Sequence, residues 1–188
     1  MYIQEKIFKK VNNQAFQTKG AEFENCVFDS CSFNQGDFTD SKFISCSFVD
    51  CDLSSAILAR TSFQEVKFEQ CKMMGLIFDR CDTFGLSFAF ESCQLSYSSF
   101  FNLKIKQTHF SDSILHYVDF SQTDLSDGVL NNCDLDRATF GQTILEKTDF
   151  RTSFNYIIDP ENNKINKAKF SLSSIAGLLA KYNIKIER

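Results

Sequence analysis

The residues with the widest chemical reach in this chain of 188 are eight cysteines, two histidines and a surplus of carboxylates. Cys26, Cys31, Cys46, Cys51, Cys71, Cys81, Cys93 and Cys133 are potential nucleophiles, thiolate ligands or disulfide partners, and their spacing has to choose among those roles. A zinc site takes Cys-x-x-Cys pairs with histidine close by. His109 and His116 have no cysteine partner, so no metal ligand and no cofactor is expected. Asp112 is near enough to His116 in sequence to be argued into a general-base pair, but no Gly-rich phosphate loop, nucleophile elbow or metalloprotease signature accompanies it. Solvated surface histidines are the simpler reading, no catalytic residue is assigned, and an enzyme is not expected.

What the cysteines share is position: each stands two residues before a beat of a five-residue repeat. That beat runs Phe23, Phe28, Phe33, Phe38, Phe43, Phe48, Leu53, Leu58, Phe63, Phe68, Met73 and Phe78, then Thr83 and Phe88. It resumes two residues late at Leu95 and continues through Phe100, Ile105, Phe110, Leu115, Phe120, Leu125, Leu130, Leu135, Phe140 and Leu145 to Phe150. Of these 26 positions 15 are Phe, and the residue two before is Ala, Cys, Ser, Thr or Gly in 21. A cysteine that interchanges with alanine and serine at one packing position is a small buried hydrophobe. Spacings of twenty stack Cys26 on Cys46, and Cys31 on Cys51 and Cys71, close enough that distance alone permits a disulfide; a reducing compartment favours free thiols.

A period of five fits neither the 3.6 of a helix nor the 2 of a flat strand, so each unit must turn a corner and send its large and small residues inward. This pattern over about 21–155 resembles the pentapeptide-repeat family. The resemblance implies an all-β solenoid, a right-handed quadrilateral parallel β-helix with four units per coil and positions twenty apart in register. Three parts follow: 1–20 as a cap or irregular first coil carrying Ile7, Phe8, Val11 and Phe16; 21–155 as the β-helix; and 156–188 as a closing module. In that module Ile165 and Phe170 keep the beat after a loop at DPENN. Ile175, Leu178, Leu179 and Tyr182 then fall at helical spacing behind Ser173 and Ser174, and IKIE alternates as a short strand. The break CDTFGLSFAFESCQL is read as a joint near 81–95 between two stacks, about 1–80 and 95–170. Gly85 there takes a positive φ, Phe84 and Phe90 close gaps, and two extra residues fall near 89–92.

The net charge of −4 hides segregation: residues 21–155 hold twenty acids against ten bases, while both flanks are net positive. Within 107–150 Asp112, Asp119, Asp124, Asp127, Asp134, Asp136, Glu146 and Asp149 face only Arg137 and Lys147. Direct nucleic-acid binding is disfavoured, because phosphate is neutralised by clustered Lys and Arg. The aspartates just before a beat, Asp37, Asp52, Asp119, Asp124, Asp134 and Asp149, also suit a corner where a short carboxylate bonds nearby backbone. FDRCDTFGLSF with SSFFN, DFSQTDLSDGVLNNCDL, and the closing IDPENNKI with its helix resemble the Qnr-type quinolone-resistance and microcin-immunity members of the family. That likeness implies a non-enzymatic, DNA-mimicking homodimer that binds DNA gyrase or topoisomerase IV and protects it from poisons. It makes the eight acids the partner contact and Ile175, Leu178, Leu179 and Tyr182 the dimer contact. A scaffold or interaction module with an unrelated partner is the other reading the same column allows. With no export signal and no apolar run long enough for a membrane span, a cytoplasmic protein is expected.

Overall fold

The computed structural model describes residues 1–14 and 16–187. Its unit is the three-residue strand with the beat residue inward and both neighbours outward, as in Glu22–Glu24 (β3) and Val27–Asp29 (β4). After each strand the residue two past the beat closes the corner in the left-handed region, with 26 non-glycine residues among those described between Glu5 and Lys167 at φ from 49° to 64°. Such a backbone is costly for residues with a Cβ. It persists because the corner N–H is used: Ser45 N donates to Gln64 O at 2.8 Å and Asp50 N to Glu69 O at 2.9 Å. Four corners return the chain over itself, and the result is the right-handed, four-sided parallel β-helix expected from the sequence.

Two sides of the column carry named strands. Tyr2–Gln4 (β1), β3, Lys42–Ile44 (β5) and Ser62–Gln64 (β7) form one parallel sheet. On the adjacent side Ile7–Lys9 (β2), β4, Ser47–Val49 (β6), Val66–Glu69 (β8), Phe88–Glu91 (β9), His109–Ser111 (β10) and Val129–Asn131 (β11) form the other. The remaining sides are held by single parallel bridges, such as Ser32 with Asp52 and Asp119 with Thr139. Residues 1–14 and 16–20 belong to a first coil in register with the next, Ile3 opposite Phe23 and Phe8 opposite Phe28.

Inside, phenylalanines stack along each side and meet edge to face across corners. Phe28 and Phe48 lie 4.6 Å apart at 11°, while Phe23 and Phe28 meet at 5.3 Å and 79°. Both geometries suit the aromatic quadrupole, and the stacking distance matches the ~4.8 Å between strands.

The joint departs from expectation. Phe68 pairs with Phe90 and Lys72 with Gln94, both offset by 22, whereas Asp82 N still bonds Thr61 O in the normal register. The two extra residues therefore lie between Asp82 and Ser87 rather than at 89–92. The inward residue of this coil is Phe90, stacked 5.3 Å from Phe68 and 5.0 Å from Phe110. Thr83 points outward, and Phe84 stands 79% exposed instead of filling a gap. Phe88 takes the place of a small residue opposite Val66. Because the surplus bulges out on the β7 side alone, the β2-to-β11 sheet runs through without interruption, and the column is one stack. Gly85 has the expected positive φ of 66°.

The closing module also differs. The stretch read as an α-helix forms two 3-10 turns, Ile175–Leu178 and Ala180–Tyr182, with no side-chain cap from Ser174 and a left-handed Asn183 as terminator. Residues 184–187 form no strand. A longer helix is blocked by contact: Gly177 is pressed on Tyr156, whose carbonyl oxygen lies 2.0 Å from where a Cβ would stand.

Candidate interaction surface

The thiols are structural. Each of seven donates to the carbonyl of a beat residue one coil below, as Cys46 Sγ does to Phe23 O at 3.4 Å and Cys51 Sγ to Phe28 O at 3.3 Å. Thr61 Oγ1 on Phe38 O and Thr123 Oγ1 on Phe100 O, each at 2.8 Å, make the same bond. The small position thus selects for a donor as well as for size. Burial pushes the Cys46 and Cys133 thiols up to about 11, which keeps them protonated and unreactive at neutral pH. All eight cysteines are free and buried.

His116 Nε2 lies 2.8 Å from Asp134 Oδ2, so its carboxylate neighbour is Asp134 and not Asp112. Among the described residues no three or more His, Cys, Asp or Glu side chains converge as a metal site would require. His109 stands on β10 in line with Ala89 and Val129.

The six aspartates before a beat all bond the backbone N–H two residues on: Asp37 to Thr39, Asp52 to Ser54, Asp119 to Ser121, Asp124 to Ser126, Asp134 to Asp136 and Asp149 to Arg151. These bonds and the neighbouring cations depress several of the carboxyls. The Lys19 ammonium and the Thr39 contacts hold Asp37 at about 2. Burial works to raise Asp124 and Asp134, and in both it is outweighed by hydrogen bonds, from Ser126 and Lys106 to the first and from His116 and Asn155 to the second.

The structure does not gather the eight acids of 107–150 on one face. Asp124 and Glu146 lie on the β3 side, Asp149 on the β4 side, Asp134 and Asp136 on the third side and Asp119 on the fourth, with Asp112 and Asp127 at corners. Asp124 is only 8% exposed, so it does not point freely outward. Five acids have a basic neighbour: Lys106 for Asp124, Lys147 for Asp127, His116 for Asp134, Arg137 for Asp136 and Arg151 for Asp149. Asp112 is bonded by Asn132 and Asp119 by Thr139, partners without charge.

At the C-terminal end Leu178 is buried in its own chain, Ile175 and Leu179 are half-buried, and the exposed Tyr182 donates to Glu161 at 2.8 Å. Lys181 Nζ spans Asp159 at 2.7 Å and Glu161 at 2.6 Å. These residues lock the DPENN loop over the last coil. The apolar side chains left outward at this end are Leu172, 92% exposed, with Ile157, Ile184 and Ile186.

A second surface was not anticipated. At the corner between the third and fourth sides Tyr97 and Tyr117 stack at 4.9 Å and 12°, and the Arg137 guanidinium lies 5.2 Å above Tyr117 while donating to its hydroxyl. Met74 and Ile77, on either side of Gly75 in the same corner, are also exposed. The signal is present in the sequence once it is written in rows of one coil, since Tyr97, Tyr117 and Arg137 then fall in one column.

An inward beat, left-handed corners and twenty-residue register define a repeat solenoid. Family models described as a pentapeptide repeat region and as pentapeptide repeats in eight copies match residues 21–89 and 93–132, and the chain belongs to the pentapeptide-repeat family. Among solved structures, a trypsin-treated form of QnrB1, a plasmid-mediated fluoroquinolone resistance protein, is similar at 18% identity and a TM-score of 0.49, with 100% of both chains covered. HetL, a pentapeptide repeat protein involved in heterocyst differentiation regulation from the cyanobacterium Nostoc sp. strain PCC 7120, is similar at 14% identity and a TM-score of 0.41, covering 92% of this chain and 85% of its own. No curated protein matches the sequence.

Proposed function

We propose that this protein is a non-catalytic, DNA-mimicking rod that docks on a type II topoisomerase, DNA gyrase or topoisomerase IV, and shields it from poisons acting on its DNA complex. The observation that carries the reading is linear charge density. Residues 107–150 hold eight acids and two bases. At twenty residues per ~4.8 Å of rise, that net charge of −6 amounts to roughly one negative charge per 1.8 Å, against about 1.7 Å in duplex DNA. Of the bases paired with these acids, Arg137 and Lys147 are already counted, whereas Lys106 and Arg151 stand just outside the window and offset part of this charge. A field of that strength on a rigid column steers a cationic groove toward it. The segments SSFFN, DFSQTDLSDGVLNNCDL and IDPENNKI, similar to those of gyrase-directed family members, support the choice of enzyme.

The working form in this reading is a homodimer joined end to end through the C-terminal module, where Leu172, Ile157, Ile184 and Ile186 would be covered by a second copy. The experiment is a DNA supercoiling assay with purified gyrase, with and without a fluoroquinolone or a microcin-type poison. Competition with DNA, or relief of the poison, is the expected result. Unchanged activity in both arms, with no co-migration of the two proteins, would overturn the reading.

A further inference from the structure

The tyrosine column ends on an open ring. Its rungs are fixed by backbone bonds: Ser55 N to Met74 O, Gly75 N to Ser96 O, Tyr97 N to His116 O and Tyr117 N to Asp136 O. Ser55, Gly75, Tyr97, Tyr117 and Arg137 are therefore successive residues of one corner. Arg137 covers one end of the stack and Tyr117 covers one face of Tyr97. The other face of Tyr97 looks toward Gly75, which has no side chain. A Cβ there would meet only Ser55 Oγ, at 3.6 Å, within ordinary contact distance. Tyr97 is 59% exposed, and Tyr117 is its one aromatic neighbour among the described residues.

We propose that this corner is a recognition site for an arginine side chain of a cationic protein partner, seated on the bare face of Tyr97 above Gly75. The inference rests on the reading of the acidic body as the docking surface for a cationic partner, and says which part of that surface grips. Two observations select the occupant. The chain already stacks its own Arg137 on the far end of the same pair, so the column is built to the spacing that a guanidinium takes over a tyrosine ring. The body around it holds twenty acids against ten bases, which attracts a cation and repels a phosphate-bearing base. A planar guanidinium stacks where a lysine ammonium does not. Met74 and Ile77, exposed on either side of Gly75 in the chain, supply an apolar surround, so an arginine with an apolar neighbour fits best.

The test uses the full-length protein and two probes, acetyl-Leu-Arg-Leu-amide and acetyl-Leu-Gln-Leu-amide, followed by NMR. The arginine peptide is expected to show a saturable upfield ring-current shift of its side-chain methylenes, and the glutamine peptide to bind about tenfold more weakly. Tyr97→Ala abolishes the shift. Gly75→Arg places a guanidinium in the site from within the chain and blocks the probe, while Gly75→Ala leaves it open. Arginine is tolerated in this backbone, since Arg60 and Arg137 hold corners at φ 55° and 56°. Equal binding of both peptides, or undiminished binding by Tyr97→Ala or Gly75→Arg, overturns the proposal. So does self-association in sedimentation that Tyr97→Ala removes, which would make the occupant a second copy. The peptide measurement needs no topoisomerase: success here beside failure to bind gyrase sinks only the topoisomerase reading. Gyrase binding that is intact in Tyr97→Ala sinks only this site.

Discussion

Thr61 and Cys46 look unrelated on the page, yet both donate from the small position to a carbonyl one coil below, at 2.8 Å and 3.4 Å. Phe38 O also accepts from Ser41 N at 2.9 Å, so losing the Thr61 donor costs about the bond's net worth. Thr61→Val, nearly isosteric, is expected to destabilise by about 1 kcal/mol in chemical denaturation, and Thr61→Cys by clearly less. Comparable losses for both would mean that shape alone governs the position. Acid acts on single residues too. Asp37 is depressed from 3.8 to about 2 in the folded chain, so its contribution is complete above the higher value and disappears as pH falls through the lower one. Thermal melts should show Asp37→Asn converging on the wild type between about pH 4 and pH 2, with a small gap above that range because the carboxylate is partly exposed.

At the scale of elements, the closing module depends on one close approach. Gly177→Ala puts a methyl 2.0 Å from Tyr156 O, which must displace the 3-10 turn and break the bond from Ile158 N to Gly177 O. The expected result is earlier proteolysis and faster hydrogen exchange confined to residues after about 155, with the Phe stacks of the body still protected. Uniform loss of protection would show instead that the module holds the whole column together. The module and the joint are also where the sequence was least legible. The beat alone located the inward phenylalanines, the buried cysteines, the backbone-bonding aspartates and Gly85, because each is decided by period and local chemistry. It set the inward residue over Phe68 at Phe88 where the structure uses Phe90, since counting in fives cannot say on which side of Phe88 two residues bulge. It read 175–182 as an α-helix because spacing cannot register the contact of Gly177 with Tyr156. The tyrosine column escaped notice because its members are twenty residues apart at an outward position, where hydrophobic periodicity carries no weight.

For the whole molecule, the dispersal of the acids changes which substitutions matter. Among the described residues Asp112, Asp119 and Glu146 form no ion pair, unlike Asp124, Asp127, Asp134, Asp136 and Asp149. Reversing these three to Lys is expected to weaken topoisomerase binding more than tenfold and to flatten its salt dependence, with the chain still folded and its melting temperature lowered only by the loss of the bonds to Asp112 and Asp119. Equal binding would argue against charge mimicry. Leu172→Glu should give a monomer in sedimentation if the C-terminal end joins two copies, whereas Leu178→Asp would damage the cap itself, Leu178 being buried. The uniform twenty-residue register has a consequence for reach. Phe23, Phe43 and Phe63 are interchangeable treads, so excising one tread, for example 24–43, returns the chain to the same phase and shortens it by about 4.8 Å. The distance from the N-terminal end to the Tyr97 corner can thus be set in whole steps, like the divisions of a ruler. A gene that gains or loses sixty bases in frame can refit the molecule to a larger or smaller partner without inventing a new surface.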